Sequence, residues 1–155
     1  MFFATACLAI SIPMRWVNAN GHGKLIGRVK AEDTIYGVLF TPHLYGLPPG
    51  VHGFHVHAFP SCANYAKAAG SHLDPVGTGV HRGPYRGNGH LGDLPVLIVD
   101  RNGRATLPVL APRLKLASIT GHSLMIHAGG DDYSEDALKH PGSKVRIACG
   151  VIPYF

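Results

Sequence analysis

The chemistry of this chain sits on its histidines. His55-Val56-His57 is an H-x-H pair in a run that reads as a strand. Side chains at i and i+2 of a strand leave the same face, so both imidazoles can reach one ion. Two neutral rings there would need partners and two charged rings would repel; an exposed surface pair is the plain alternative. Downstream, His72, His81 and His90 recur at nine-residue intervals, and Asp93 follows three residues on. That spacing suits no core. Three imidazoles and a carboxylate form a closed set of N/O ligands appropriate to zinc. A bound ion would also order a glycine-rich loop that has few apolar contacts of its own. An exposed His-rich loop is the alternative. His127 ends the stretch SLMIH, where an inward ring could join His55 and His57. Taken alone it would read as a satisfied core histidine.

Strands must position these residues. Eight segments have strand character: 13–18, 24–30, 34–41, 53–58, 94–100, 105–109, 123–127 and 144–152. They are short, apolar or alternating, and separated by Gly- and Pro-containing turns. Asn102-Gly103 marks a hairpin between two of them. The pattern predicts an all-β fold, an eight-stranded Greek-key antiparallel barrel or sandwich. Two stretches, 59–92 and 128–143, carry no strand signal. Loops of that length are uncommon in compact domains unless they are functional. The first holds His72, His81 and His90, so something must order it.

Composition sets the outer limits. At 155 residues the chain is one domain, and 46% apolar residues exclude a disordered one. Gly 20 and Pro 12 argue for many turns and few long helices. No apolar run approaches the ~20 residues of a membrane span, so no membrane partner is expected, and no nucleic-acid partner either. The net charge of +5 suits an anionic partner of unspecified kind. Residues 1–12, MFFATACLAISI, read like the apolar core of a secretory signal without its basic start. Residues 1–11 are therefore expected to be a leader remnant and 12–155 the domain, with export to the periplasm or beyond. A cut near residues 9–11 is expected, because one after Ala19 would delete a strand. Without Cys7, whose role stays unassigned, Cys62 and Cys149 remain. An even pair in an exported protein suggests one disulfide; in a cytosolic protein two buried thiols would be the reading.

Together the residues say more. GFHVH, SC, SHLDP, HRGP, GHLGDLP, MIHAGGD and ACGVI occur in this order. In this the chain resembles the copper/zinc superoxide dismutases. HLGDLP, LPVLAPRLK and HAGGD resemble the bacterial periplasmic branch most closely. The resemblance runs from about residue 13 to residue 152. It implies that copper is held by His55, His57, His72 and His127, and zinc by His72, His81, His90 and Asp93. His72 would bridge the two metals. Cys62 and Cys149 match the family's disulfide, Asp131 its carboxylate linking a ligand of each metal, and Arg146 its arginine beside copper. The implied function is dismutation of superoxide to O2 and hydrogen peroxide by Cu(II)/Cu(I) cycling. His72 would donate a proton and Arg146 would guide the anion.

His52 sits where the family often has a structural histidine. His22, His43, His122 and His140 read as surface or loop residues. The chain also departs from the family. His72 follows Cys62 by only ten positions, a short form of a subloop that takes part in the family's subunit contact, so a homodimer partner is left open. Residues 138–145, LKHPGSKV, replace a glycine run, which alters the rim over copper. Lys67 and Lys139 are candidate contributors to the attracting field. The alternative from another class is a metal-binding or copper-delivery domain without turnover. Such domains usually lack a ligand or the arginine, and this chain lacks neither.

Overall fold

The computed structural model of the chain describes residues 8–155. Three strands form a meander: β1 (Ala9–Trp16), β2 (Leu25–Thr34) and β3 (Gly37–Leu44). Among the described residues the other strands are β4 (Gly50–His52), β5 (Phe54–His57), β6 (Leu97–Val99), β7 (Val109–Ala111), β8 (Ser123–His127) and β9 (Arg146–Val151). Among the described residues the only helical pieces are 3-10 turns at Lys67–Ala69, Leu116–Ser118 and Glu135–Lys139. One sheet runs β5-β8-β9-β1-β2-β3-β7, and β4 pairs with β6. Every pairing is antiparallel. β1 beside β9 and β3 beside β7 bring distant segments together, as Greek-key connections do. The all-β antiparallel architecture matches the sequence pattern.

The differences in detail have local causes. The strand expected at 53–58 forms as β5 over 54–57, and a separate short strand of the other sheet precedes it. Gly53 donates its N–H to the carbonyl of Gly129 (2.8 Å) and accepts from His127 N–H (2.9 Å), while residues 50–52 pair with β6. The Asp100–Arg104 turn closes as expected, with a 2.8 Å bond from Asp100 N–H to Arg104 O. Its arms do not form a hairpin: Val99 pairs with Gly50 and Ala105 with Leu44. Strand 105–109 is interrupted by Pro108, which has no N–H to give, and pairing resumes at β7 against β3. β1 starts at Ala9, within the segment read as leader. Ala9 and Ile10 pair with Glu32 and Ala31, and Ile10 is buried. A cut at residues 9–11 would therefore trim a paired strand. Residues 1–7, with Cys7, lie outside the described residues.

Period-2 alternation accounts for the core. Ile10, Ile12 and Met14 of β1 face inward, as do Val29 and Ala31 of β2 and Val38 and Phe40 of β3. They join Leu97 and Val99 of β6 in one cluster, so both sheets share it. Phe40 meets Phe54 edge-to-face, with ring centroids 5.8 Å apart. β5 and β8 differ from the other strands because every residue of both is buried. One face, Phe54 and Val56 with Leu124 and Ile126, lies in the core. The other, His55 and His57 with Met125 and His127, is covered by the long loops. That second face is where the chemistry lies.

Candidate metal centre

β5 presents His55 and His57 on one face, as i and i+2 require. Its free edge is covered by the loop. Val56 donates to Gly92 O (2.8 Å), Leu73 to Val56 O (2.8 Å) and Gly92 to Leu73 O (2.9 Å). These bonds lay the loop on the strand so that His72 faces His57 and Asp93 faces His55. On the other edge, β8 brings His127. The register of β8 on β9 slips after Ile126, so Ile126 opposes Ala148 while His127 opposes Arg146. This bulge re-aims both side chains toward the loop, as bulges beside active sites do.

The result is two groups with one shared member. His55, His57, His72 and His127 have one ring nitrogen each within 4.8 Å of the others. The same holds for His72, His81, His90 and Asp93. In the second group, Asp93 Oδ1 lies 2.9 Å from His72 Nδ1, 3.0 Å from His81 Nδ1 and 3.4 Å from His90 Nδ1. Asp93 Oδ2 accepts the backbone N–H groups of Arg82 and Gly83, both at 3.0 Å, which fixes the carboxylate. Asp131 joins the groups from outside. Its Oδ2 accepts from His55 Nε2 (2.7 Å) and its Oδ1 from His81 Nε2 (2.9 Å). His57 donates from Nδ1 to the carbonyl of Gly70 (2.9 Å). These bonds fix tautomers: His55 is left with a lone pair on Nδ1 and His57 with one on Nε2.

The lone pairs test whether a metal fits. His55 Nδ1, His57 Nε2, His90 Nδ1 and both nitrogens of His127 are buried without a hydrogen-bond partner. Each such atom costs roughly 1–3 kcal/mol when left unpaired. His81 Nδ1 lies near Asp93 Oδ1 in a direction that makes no hydrogen bond. Lone pairs converging in this way repel unless a cation lies among them. Imidazole suits copper and zinc, and three imidazoles with a carboxylate form a closed zinc set. Burial, with the neighbouring His72, pushes His57 down to about 2. Burial and His55 push His72 down to about 3, and burial with His55 and His57 holds His127 well below the usual imidazole value. These rings are neutral and ready to ligate. His81 goes the other way. Burial opposes its charge, but the hydrogen bond to Asp131 and the adjacent Asp93 carboxylate raise it to about 9. Both carboxylates are held below their usual range despite burial, Asp93 by the hydrogen bond from His72 and the adjacent His81, and Asp131 by hydrogen bonds from His55 and His81.

Around this centre the chain adds a bridge and a guanidinium. Cys62 and Cys149 form a disulfide that ties the subloop to β9. Arg146 donates to the carbonyls of Ala66 (2.5 Å) and Gly70 (2.6 Å) on that subloop. With Ser143 and Lys144 it lines a cavity whose inner wall is His57, His72 and His127. The structure thus brings together the candidates His55, His57, His72, His81, His90, His127, Asp93 and Asp131. His52 wedges between the carbonyls of His127 (2.8 Å) and Pro48 (2.7 Å), and His122 bonds Ala58 O (2.7 Å). His140 pairs with Asp132 at the surface. Sequence reasoning missed the Gly70 carbonyl, the Arg82 and Gly83 amides, Ser143 and Lys144. The amides and the carbonyl carry no residue-type signal at all. Lys144 was legible only as part of the segment that replaces a glycine run.

Comparison with known proteins agrees with this geometry. The sequence model of the copper/zinc superoxide dismutase family matches residues 25–152. Superoxide dismutase [Cu-Zn] 1 of Salmonella typhimurium is 52% identical over 152 residues, spanning 92% of this chain and 86% of that protein. Among solved structures, the Cu/Zn superoxide dismutase from Brucella abortus superposes with a TM-score of 0.84 at 41% identity, covering 94% of this chain and 99% of that one. The solution structure of the monomeric copper, zinc superoxide dismutase from Salmonella enterica gives 0.80 at 49% identity, covering 94% and 99%. With two histidine groups sharing a ring, a closing disulfide and this likeness over nearly its whole length, the chain belongs to the copper/zinc superoxide dismutase family.

Proposed function

We propose that this enzyme dismutates superoxide at the paired histidine groups, turning two superoxide anions and two protons into one dioxygen and one hydrogen peroxide. His55, His57, His72 and His127 would hold copper, and His72, His81, His90 and Asp93 would hold zinc. Copper supplies the one-electron couple that the reaction needs, and zinc, which has no redox change, supplies a fixed charge beside it. His72 is the hinge of the arrangement. Its Nδ1 rests against Asp93, so Nε2 is the nitrogen left free toward His55, His57 and His127, where it would hold a proton for the reduced oxygen species. Asp131 keeps His55 and His81 in register with each other. Arg146 carries a charge that no carboxylate neutralises among the described residues. Its carbonyl anchors aim it into the cavity, where it orients a small anion through hydrogen bonding.

The Cys62–Cys149 bridge supports residence in an oxidising compartment, which for a bacterial protein of this family is the periplasm, reached with a cleaved leader. The similar Salmonella enterica structure is described as monomeric, so a homodimer draws no support from it. One observation carries the functional reading: His72 belongs to both four-residue groups. Co(II) placed beside Cu(II) in the zinc group should show magnetic coupling through the shared ring, and the coupling should vanish in His72→Ala. Two uncoupled metals in the unmutated protein would sink the shared-ring reading. Metal content and superoxide consumption on one sample separate an enzyme from a copper carrier, which would load both metals without turnover.

A further inference from the structure

We propose that Tyr133 is a positioning residue for the zinc group, a clamp that fixes Asp131 and the loop arm carrying Asp93 relative to one another. This rests on the assignment of His72, His81, His90 and Asp93 to zinc, and it names a residue with no role in that assignment.

Tyr133 adopts a φ of 64°, in the left-handed region that residues other than glycine seldom enter. Such a conformation persists where the surroundings over-determine it. Three contacts do so here. Its backbone N–H donates to Asp131 Oδ1 (2.8 Å), the same oxygen that accepts from His81 Nε2 (2.9 Å). Its phenol oxygen accepts the N–H of Val96 (2.9 Å). Its side chain lies against Gly83, where a Cβ would stand 2.4 Å from Tyr133 Cβ. Tyr85 meets the ring edge-to-face, with centroids 6.0 Å apart.

Each of the three contacts leads to the zinc group. Gly83 N–H donates to Asp93 Oδ2 (3.0 Å), so the tyrosine backs the amide that orients this ligand. Val96 lies three residues beyond Asp93. Between them the chain is weakly held. Asp93 N–H reaches His90 O at 3.5 Å, Leu94 N–H reaches Phe54 O at 3.3 Å, and Pro95 has no N–H to give. The 2.9 Å bond from Val96 to the phenol is the short one in this run. One residue thus anchors both the stretch that follows Asp93 and the carboxylate of Asp131.

The hydroxyl completes the clamp. Phenylalanine would fill the same space and leave the Val96 amide without its acceptor, a loss that buried backbone groups tolerate poorly. The copper group has supports of its own, His57 on the carbonyl of Gly70 and His127 on β8. The clamp therefore bears on zinc more than on copper.

The test compares Tyr133→Phe with Tyr85→Phe, which removes a phenol oxygen from the exposed ring beside it. Zinc affinity is read by competition with a chromogenic chelator, and the visible spectrum is recorded with Co(II) in the zinc group. Copper affinity is measured on the same preparations. Tyr133→Phe should weaken zinc binding about 10-fold, the low end of what outer partners of metal ligands contribute. The Co(II) bands should shift and broaden as Asp93 loses its fixed orientation, a change that mere packing would not produce. Copper affinity should stay near that of the unmutated protein, and Tyr85→Phe should match the unmutated protein throughout. An unchanged zinc affinity or an unchanged Co(II) spectrum in Tyr133→Phe overturns the proposal. So does an equal loss for copper and zinc, or an equal loss in the two phenylalanine variants. The ligand assignment fails separately, by a His81→Ala variant that binds zinc as tightly as the unmutated protein.

Discussion

At the residue scale, His81 holds the most informative proton. Its Nδ1 must be bare to ligate, yet the hydrogen bond to Asp131 and the adjacent Asp93 carboxylate keep the metal-free ring protonated up to about 9. Zinc uptake near neutral pH should therefore expel a proton from this residue. Zinc affinity should rise by about tenfold per pH unit and level off above about pH 9. Calorimetry of zinc binding in two buffers of different ionisation enthalpy counts the proton directly; buffer-independent heats would show that His81 is already neutral. His57, His72 and His127 release nothing, because burial keeps them neutral throughout that range.

At the element scale, the site depends on a loop behaving as a strand. Gly92 is the contact point. Its amide and carbonyl bond Leu73 and Val56, and a Cβ there would lie 2.2 Å from Val56 O and 2.8 Å from Leu73 N. Backbone atoms cannot turn aside as a flexible side chain can. Gly92→Ala must lift the loop from β5, carrying His90 and Asp93 with it. A stability loss of about 1–3 kcal/mol is expected from such overpacking, together with weaker zinc binding. Urea unfolding of the metal-free protein measures the first, and competition with a chromogenic chelator measures the second. An alanine variant with unchanged zinc affinity would show that the loop, not its contact with β5, positions the ligands. The disulfide acts on the other arm of the same loop. It closes a span of 87 residues, worth about 4–5 kcal/mol on the loop-entropy model, and it holds the subloop whose carbonyls anchor Arg146.

For the whole molecule, the metal-free fold is a compromise among these buried groups. His57, His72 and His127 bind protons far less readily when folded than at their ordinary value of 6.5. Unfolding therefore takes up protons below that value, and stability falls as pH drops through it. His81, raised to about 9, contributes stability that is full below 6.5 and lost as pH rises through about 9. Asp93 and Asp131, held low, contribute above the ordinary carboxylate value of 3.8 and lose their contribution as pH falls below it. Stability of the metal-free protein should peak near the imidazole value. It should fall more steeply on the acid side, by about 1.4 kcal/mol per pH unit for each neutral ring. Urea midpoints between about pH 5 and pH 9 test the asymmetry. A midpoint still rising at the alkaline end would mean that His81 is not held charged.

Some of this was already determined by the sequence. Period-2 alternation in β1, β2 and β3 marks their buried faces, because each strand covers a core on one side only. The H-x-H pair, the spaced loop histidines and the order of the motifs identify the ligand candidates, because a metal demands particular atoms at particular spacings. Other features were settled only in three dimensions. Gly53 looks like the start of a strand, yet its bonds to Gly129 and His127 separate β4 from β5. The register slip that sets His127 opposite Arg146 has no signature in residue types. Asp131 reaches both His55 and His81 only because two loops close over one face of β5. Local pattern records which way each residue faces, whereas pairing, register and loop closure depend on partners tens of residues away.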